Sequence, residues 1–303
     1  MDSASLRRLQ KILKFSVENA SASTKEAKND RSLDELEDKK WLSDAMSAYM
    51  GPSDVEVMKS CLKIIAIPNV DDETIENALE VLEEKIEDID NAKDFVKIGG
   101  IPVAFQMLDG TLCWRAAQLL ALLVQNNPFC QEAVLAGGGL EKLLKLGKRF
   151  HCGDMALLKI VYALSSLTRN CNKALRRFIE QGGIDFLVDV FRKGNEKLTT
   201  KVIFMMKNMC IDDVSIKDLL LGRGFVEELV RFLVRLEGNG LREVILTMLI
   251  CLVEENDSCK RICAREDLGL KDYLLKCEEE LKGNEDYEDV RELAKNLRKI
   301  CFK

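Results

Sequence analysis

The sequence predicts an all-α protein built from a repeated helical unit, and three observations predict it. Only four prolines and four tyrosines occur in 303 residues. Leu, Glu, Lys and Ala abound, which favours helix over strand. Apolar residues recur at helical spacing through almost the whole chain. Punctuation recurs as well. Polar breaks fall at Asn91, Asn127, Asn170, Asp212 and Asn256. Glycines follow at Gly99-Gly100, Gly138-Gly139, Gly182-Gly183, Gly222/Gly224 and Gly269. The period is about 36–45 residues, within the range of helical solenoid repeats.

Taken in order, residues 1–31 form an N-terminal segment apart from the repeats. Leu6, Leu9, Ile12, Leu13 and Val17 share a helical face with basic neighbours, and a small, polar linker follows. Residues 32–70 predict a helical cap. Ser32 opens its first helix, Trp41, Leu42, Ala45, Met46 and Tyr49 give that helix an apolar face, and Gly51-Pro52 ends it. A second helix covers Val55–Ile67. Residues 71–256 are the repeats. Each long helix after the first is preceded by a shorter one: Ile101–Leu108, Leu140–Leu146, Ile184–Phe191 and Val226–Leu236. The long helices are Thr74–Ile89, Leu112–Gln125, Met155–Arg169, Leu198–Ile211 and Leu241–Glu255. Three helices in about 42 residues, with a glycine break after the first, is the armadillo pattern. Residues 257–303 read as two closing helices. Asn284 is placed as the cap of the last, and Tyr287, Val290, Leu293, Leu297 and Ile300 form its inner stripe. The expected architecture is an armadillo-like, right-handed superhelical solenoid with helical caps.

The long helices point to a binding surface. Met155–Arg169 is apolar nearly all round, so its neighbours must cover it on several sides. Its polar positions, Lys159, Tyr162, Ser166, Arg169 and Asn170, fall on one face. The same register gives Arg115, Gln118, Leu122, Gln125 and Asn126 one repeat earlier, and Lys201, Phe204, Asn208, Ile211 and Asp212 one repeat later. Stacked side by side, these stripes predict one continuous face, basic in its middle. The first long helix contributes Glu76, Glu80, Glu83 and Glu87 and the last Thr247, Cys251, Glu254 and Glu255, so both ends are acidic. Trp114 is expected in the core.

Chemistry is excluded more firmly than it is indicated. The net charge of −6 gives no bulk attraction to nucleic acid. The single histidine, His151, has no nucleophile motif near it, so neither a triad nor a histidine metal site is expected. Neither a P-loop nor a dinucleotide fingerprint is found, and Gly137-Gly138-Gly139 reads as an interhelix break rather than a phosphate loop. Eleven scattered cysteines read as buried, reduced thiols, and no Cys-x-x-Cys occurs. No apolar run reaches the length of a membrane span, and no secretory leader is evident. No catalytic residue, metal or cofactor is expected.

The order of several motifs is specific: Asp90-Asn91-Ala92-Lys93-Asp94-Phe95, Trp114-Arg115-Ala116-Ala117-Gln118, Val124-Gln125-Asn126-Asn127-Pro128 and Tyr162-Ala163-Leu164-Ser165-Ser166-Leu167. Asp38-Lys39-Lys40-Trp41 and Leu13-Lys14-Phe15-Ser16 add to it. Over nearly its whole length the chain resembles the heat-shock-70-binding and Fes-type family of nucleotide-exchange factors. The resemblance implies a non-enzymatic co-chaperone whose concave face clasps one lobe of the chaperone's nucleotide-binding domain and promotes ADP release. It carries contact roles onto Ala92, where a small residue lets the partner approach, and onto Lys201. Arg115, Asn126, Lys159, Arg169 and Asn208 join them from the stripe. The family's N-terminus engages the chaperone's peptide groove, and Leu9, Ile12, Leu13 and Phe15 are the matching candidates. A docked or membrane-surface helix is the competing reading for this segment. A cytosolic monomer with access to the nucleus is implied. The alternative is an armadillo adaptor for transport peptides or ubiquitin ligases. The Trp/Asn ladder of import receptors is missing, because the corresponding pairs are Gln118/Leu122, Tyr162/Ser166 and Phe204/Asn208.

Overall fold

A computed structural model describes residues 51–149, 153–193, 195–236, 238 and 240–302. The N-terminal expectations, including Leu9, Ile12, Leu13, Phe15 and the helix after Ser32, lie outside the described residues, as does His151. Seventeen α-helices and no strand occur among the described residues. The chain divides into two compact units, one up to Leu143 and one from Leu144.

In the first unit, α1 (Asp54–Ala66) and α2 (Asp72–Ile86) lead into α3 (Ile89–Lys97), α4 (Gly100–Met107) and α5 (Cys113–Leu123). Next come α6 (Pro128–Ala136) and α7 (Gly139–Gly147), the helix that carries the boundary between units. Ser53 starts α1 with a capping box: its hydroxyl accepts from the Glu56 amide, and Glu56 accepts from the Ser53 amide at 2.9 Å. The long helices α2 and α5 pack together, with α1 against α2.

In the second unit the repeat runs α8 (Gly153–Thr168), α9 (Asn172–Glu180), α10 (Gly183–Arg192), α11 (Glu196–Asp212), α12 (Ser215–Gly222), α13 (Phe225–Arg235) and α14 (Arg242–Val253). It closes with α15 (Asp257–Cys263), α16 (Leu270–Glu280) and α17 (Glu288–Cys301). The long helices stack in series, α8 on α11, α11 on α14, and α14 on α17. Burying Val290, Ala294 and Leu297 against that stack gives α17 its place, while Leu293 and Ile300 are only partly covered. Arg298 ties α17 to α16 by a bidentate pair with Glu278, at 2.6 and 3.0 Å.

The Gly-Gly pairs have two distinct causes. Gly182 has φ 73°, a left-handed turn that begins α10. The next residue, Gly183, is pressed by the Phe178 ring, which a Cβ would meet at 2.4 Å. Gly99 and Gly100 repeat this against Phe95. One glycine makes the turn, and the other lets a buried ring close the helix corner.

Two sequence boundaries are corrected. The first long helix does not run from Thr74 to Ile89. It ends at Ile86, and Asp88 accepts from the amides of Asp90 and Asn91 to start α3. Asn91 therefore does not mark the break. Its amide instead donates to Asp54 Oδ2 at 3.0 Å and to the Lys85 carbonyl at 3.2 Å, joining α3 to α1 and α2. Asn284 caps a short 3-10 turn, Glu285–Tyr287, rather than α17 itself. A short polar segment can supply several cap geometries, and packing selects among them.

Candidate functional site

The first unit holds Ala92, Arg115 and Asn126. Ala92 lies in the first turn of α3 and is 2% exposed. It forms part of the floor of an open cleft of about 360 Å³, with Ile86, Leu122, Gln125 and Asn126 around it and the exposed Ile89 at the rim. The methyl group sets the depth of this cleft instead of projecting from the surface. Asn126 is exposed and has φ 53°, a left-handed conformation that asparagine tolerates better than most residues. Its neighbour Asn127 caps α6 and donates to the Ile89 carbonyl at 3.2 Å, fixing the cleft's two walls.

Arg115 differs from expectation. Its guanidinium reaches back to the acidic stripe of α2, 3.0 Å from Glu80 and 3.6 Å from Glu83, and stacks 4.6 Å over the Trp114 ring. Gln118 donates to Glu83 at 2.6 Å. The basic and acidic stripes of α5 and α2 thus neutralise each other rather than form separate patches. Arg115 is a packing residue here, not an outward cation. Trp114 is part-exposed beneath it and does not enter the core as expected.

The second unit holds Lys159, Arg169, Lys201 and Asn208. One turn of α8 meets one turn of α11: the Lys201 ammonium sits 4.3 Å over the Tyr162 ring. Burial holds its pKa below the usual lysine value, and the charge of nearby Lys159 lowers it further. Neither lysine forms an ion pair with a carboxylate among the described residues. Along α11 the same face continues through Phe204, Asn208 and Ile211, with Phe204 49% and Ile211 63% exposed. Two unneutralised ammoniums beside exposed apolar side chains form a surface suited to an anionic, partly apolar protein partner. Arg169 is exposed at the end of the α8 stripe, whereas Ser166, at 9% exposure, is nearly covered.

Sequence reasoning missed Lys217. It reads as a solvated lysine in Ser215-Ile216-Lys217-Asp218, yet it is 6% exposed and donates to the Glu254 carbonyl at 2.8 Å. The carbonyl that holds it comes from the end of α14, 37 residues along the chain, and no local pattern carries that information. Among the described residues no helix is long and apolar enough to cross a membrane, and no cluster of metal-ligating side chains occurs.

Comparison with known proteins gives the following. The model of the SIL1/FES1/HPBP1 C-terminal domain matches residues 91–224, and that of the nucleotide exchange factor Fes1 matches residues 9–95. The chain is 33% identical over 282 residues to Hsp70-binding protein 1 of Homo sapiens, covering 88% of this chain and 78% of that protein. It is 33% identical over 181 residues to the Hsp70 nucleotide exchange factor FES1 of Gibberella zeae, covering 57% and 83%. Among solved structures, a designed armadillo repeat protein superposes with a TM-score of 0.64 at 16% identity, covering 80% of this chain and 99% of that one. The armadillo-like, all-α fold is thereby shown.

Proposed function

The chain belongs to the SIL1/FES1/HPBP1 family of Hsp70 nucleotide-exchange factors, and we propose that it contacts its chaperone through the exposed faces of its long helices. A nucleotide-exchange co-chaperone role follows from that membership. The observation that carries it is identity spread over 78% of Hsp70-binding protein 1, rather than over one shared repeat.

In this reading the partner is the nucleotide-binding domain of a cytosolic Hsp70, and one of its lobes is the surface held. Lys159, Lys201 and Phe204 supply the contact in the second unit, and the cleft floored by Ala92 supplies it in the first. Arg169, Asn126 and Asn208 border these contacts. Arg115 acts indirectly, by holding α5 to α2. No side chain performs bond chemistry. The factor accelerates ADP release only because it binds the open domain better than the closed one. Linkage then requires bound nucleotide to weaken the chaperone's hold on this protein by the same factor. The N-terminal residues Leu9, Ile12, Leu13 and Phe15 are proposed as a client-groove mimic, on the aliphatic and basic character of that segment.

The test is stopped-flow release of a fluorescent ADP analogue from a cytosolic Hsp70. Acceleration that saturates with this protein, and survives deletion of residues 1–30, is expected. An unchanged release rate at micromolar concentration across several Hsp70 paralogues overturns the reading.

A further inference from the structure

The cleft of the first unit differs in charge from the face of the second. Its floor is apolar, formed by Ile86, Ala92 and Leu122, and Ile89 stands 53% exposed at its rim. Glu87 lines it, Asp88 and Asp90 follow Glu87 along the chain, and Glu84 lies one turn before. The cations nearby are engaged: Lys85 with Asp54 at 2.7 Å, Lys93 with Asp90 at 2.9 Å, and Arg115 with Glu80 and Glu83. Among the described residues Glu84, Glu87 and Asp88 form no ion pair. Lys159, Lys201 and Phe204 suit an anionic partner, whereas an apolar floor with an acidic border suits a basic, aliphatic one.

The chain itself carries such a segment. Between Ser3 and Val17 stand four cations, Arg7, Arg8, Lys11 and Lys14, and no acid, with Leu6, Leu9, Ile12, Leu13 and Val17 at helical spacing. These residues lie outside the described ones, but the described chain begins beside the cleft. Asp54, three residues after Gly51, accepts from the Asn91 amide at 3.0 Å, and Asn91 directly precedes Ala92. The helix predicted after Ser32 spans about 25–30 Å. Residues 18–31 reach about 45–50 Å when extended, enough to bring the segment back over that helix to the cleft. A tether of this length holds the segment at an effective concentration on the order of 1 mM, so even weak contacts fill the cleft.

We propose that residues 6–17 dock in the Ala92 cleft of their own chain. The aliphatic side chains cover Ile89 and the floor, and the four cations meet Glu84, Glu87 and Asp88. The segment leaves the cleft before a chaperone lobe enters it, a consequence that rests on the exchange reading, whereas the docking itself does not. The same departure makes Leu9, Ile12, Leu13 and Phe15 available to a client groove, so the two roles of this segment alternate.

The experiment uses the full chain with Ile89→p-benzoylphenylalanine, irradiated at low micromolar concentration, digested and read by mass spectrometry. A cross-link from position 89 to a peptide within residues 6–17 is expected. In a mixture of isotopically light and heavy protein, each cross-link should join peptides of one label only. Arg8→Glu with Lys11→Glu should lower the yield roughly tenfold, and adding Glu84→Lys with Glu87→Lys should restore it. The absence of a cross-link to residues 6–17, mixed-label products, or a yield indifferent to both charge changes overturns the proposal. The same photoprobe at Gln125 decides the question where the Ile89 variant folds poorly. For the competition, ADP-analogue release is measured on an isolated Hsp70 nucleotide-binding domain, which has no peptide groove. The half-saturating concentration should fall about threefold in Arg8→Glu/Lys11→Glu, because the cleft is no longer covered. An unchanged value beside normal acceleration overturns the competition and leaves the exchange function standing. Acceleration by neither protein overturns the exchange reading, while the cross-link still decides the docking.

Discussion

Replacing Lys201 by glutamate changes the local charge at the α8–α11 face from two ammoniums to one ammonium and one carboxylate, a swing from +2 to 0. A single charge pair at about 4 Å contributes about 1 kcal/mol in bulk water and about 4 kcal/mol at an effective dielectric of 20. Lys201 is part-buried against the Tyr162 ring, so its contact with a partner carboxylate falls between these limits. Reversal removes that attraction and adds a repulsion, for a loss of about 2–3 kcal/mol, or 30- to 150-fold in affinity. Stability should barely move. Losing the ammonium over Tyr162 costs about 0.5–1 kcal/mol, while a new pair with Lys159 and the relief of Lys159–Lys201 repulsion return a similar amount. The assay is saturation of ADP-analogue release from Hsp70, beside thermal unfolding of the variant. Lys271→Glu, on the exposed side of α16, is the control for an equal change in net charge. If Lys201→Glu melts normally and half-saturates within about twofold of the wild type, the assignment of partner contact to this face is refuted.

Other expectations address what holds the faces in place. Arg115→Met should lower stability by about 1–3 kcal/mol in urea unfolding, because Glu83, at 9% exposure, loses a cationic partner. Its effect on exchange should be smaller than that of Lys201→Glu, since Arg115 is engaged within the unit. Gly183→Ala should cost about 1–3 kcal/mol by driving a Cβ into the Phe178 ring, which a shift in the denaturation midpoint would show. Glu255 has φ 58°, at the position where Asn126 and Asn170 serve the corresponding helix ends. Glu255→Asn should therefore stabilise by about 0.5–1 kcal/mol, measured as a rise in the same midpoint.

What the sequence by itself determined is whatever repeats. The positions of the long helices, the glycine breaks and the outward register of Lys159, Lys201, Phe204 and Asn208 were legible because helical periodicity and backbone conformation are local properties. A residue three or four positions along a helix shares its face, whatever packs there. The motif order was legible for the same reason and named the family. Tertiary structure decided which of those outward residues remain available. Arg115 and Lys201 occupy equivalent stripe positions, but α2 places Glu80 and Glu83 beside the first, whereas α8 places Lys159 and Tyr162 beside the second. Ala92 became a cleft floor because Leu122 of α5, with Gln125 and Asn126 just beyond it, lines the same cleft. Lys217 became a buried cation because the end of α14 brings the Glu254 carbonyl to its ammonium. Charge and burial depend on neighbours about 35–40 residues away, at the distance of one solenoid repeat, where the chain's local pattern has no reach.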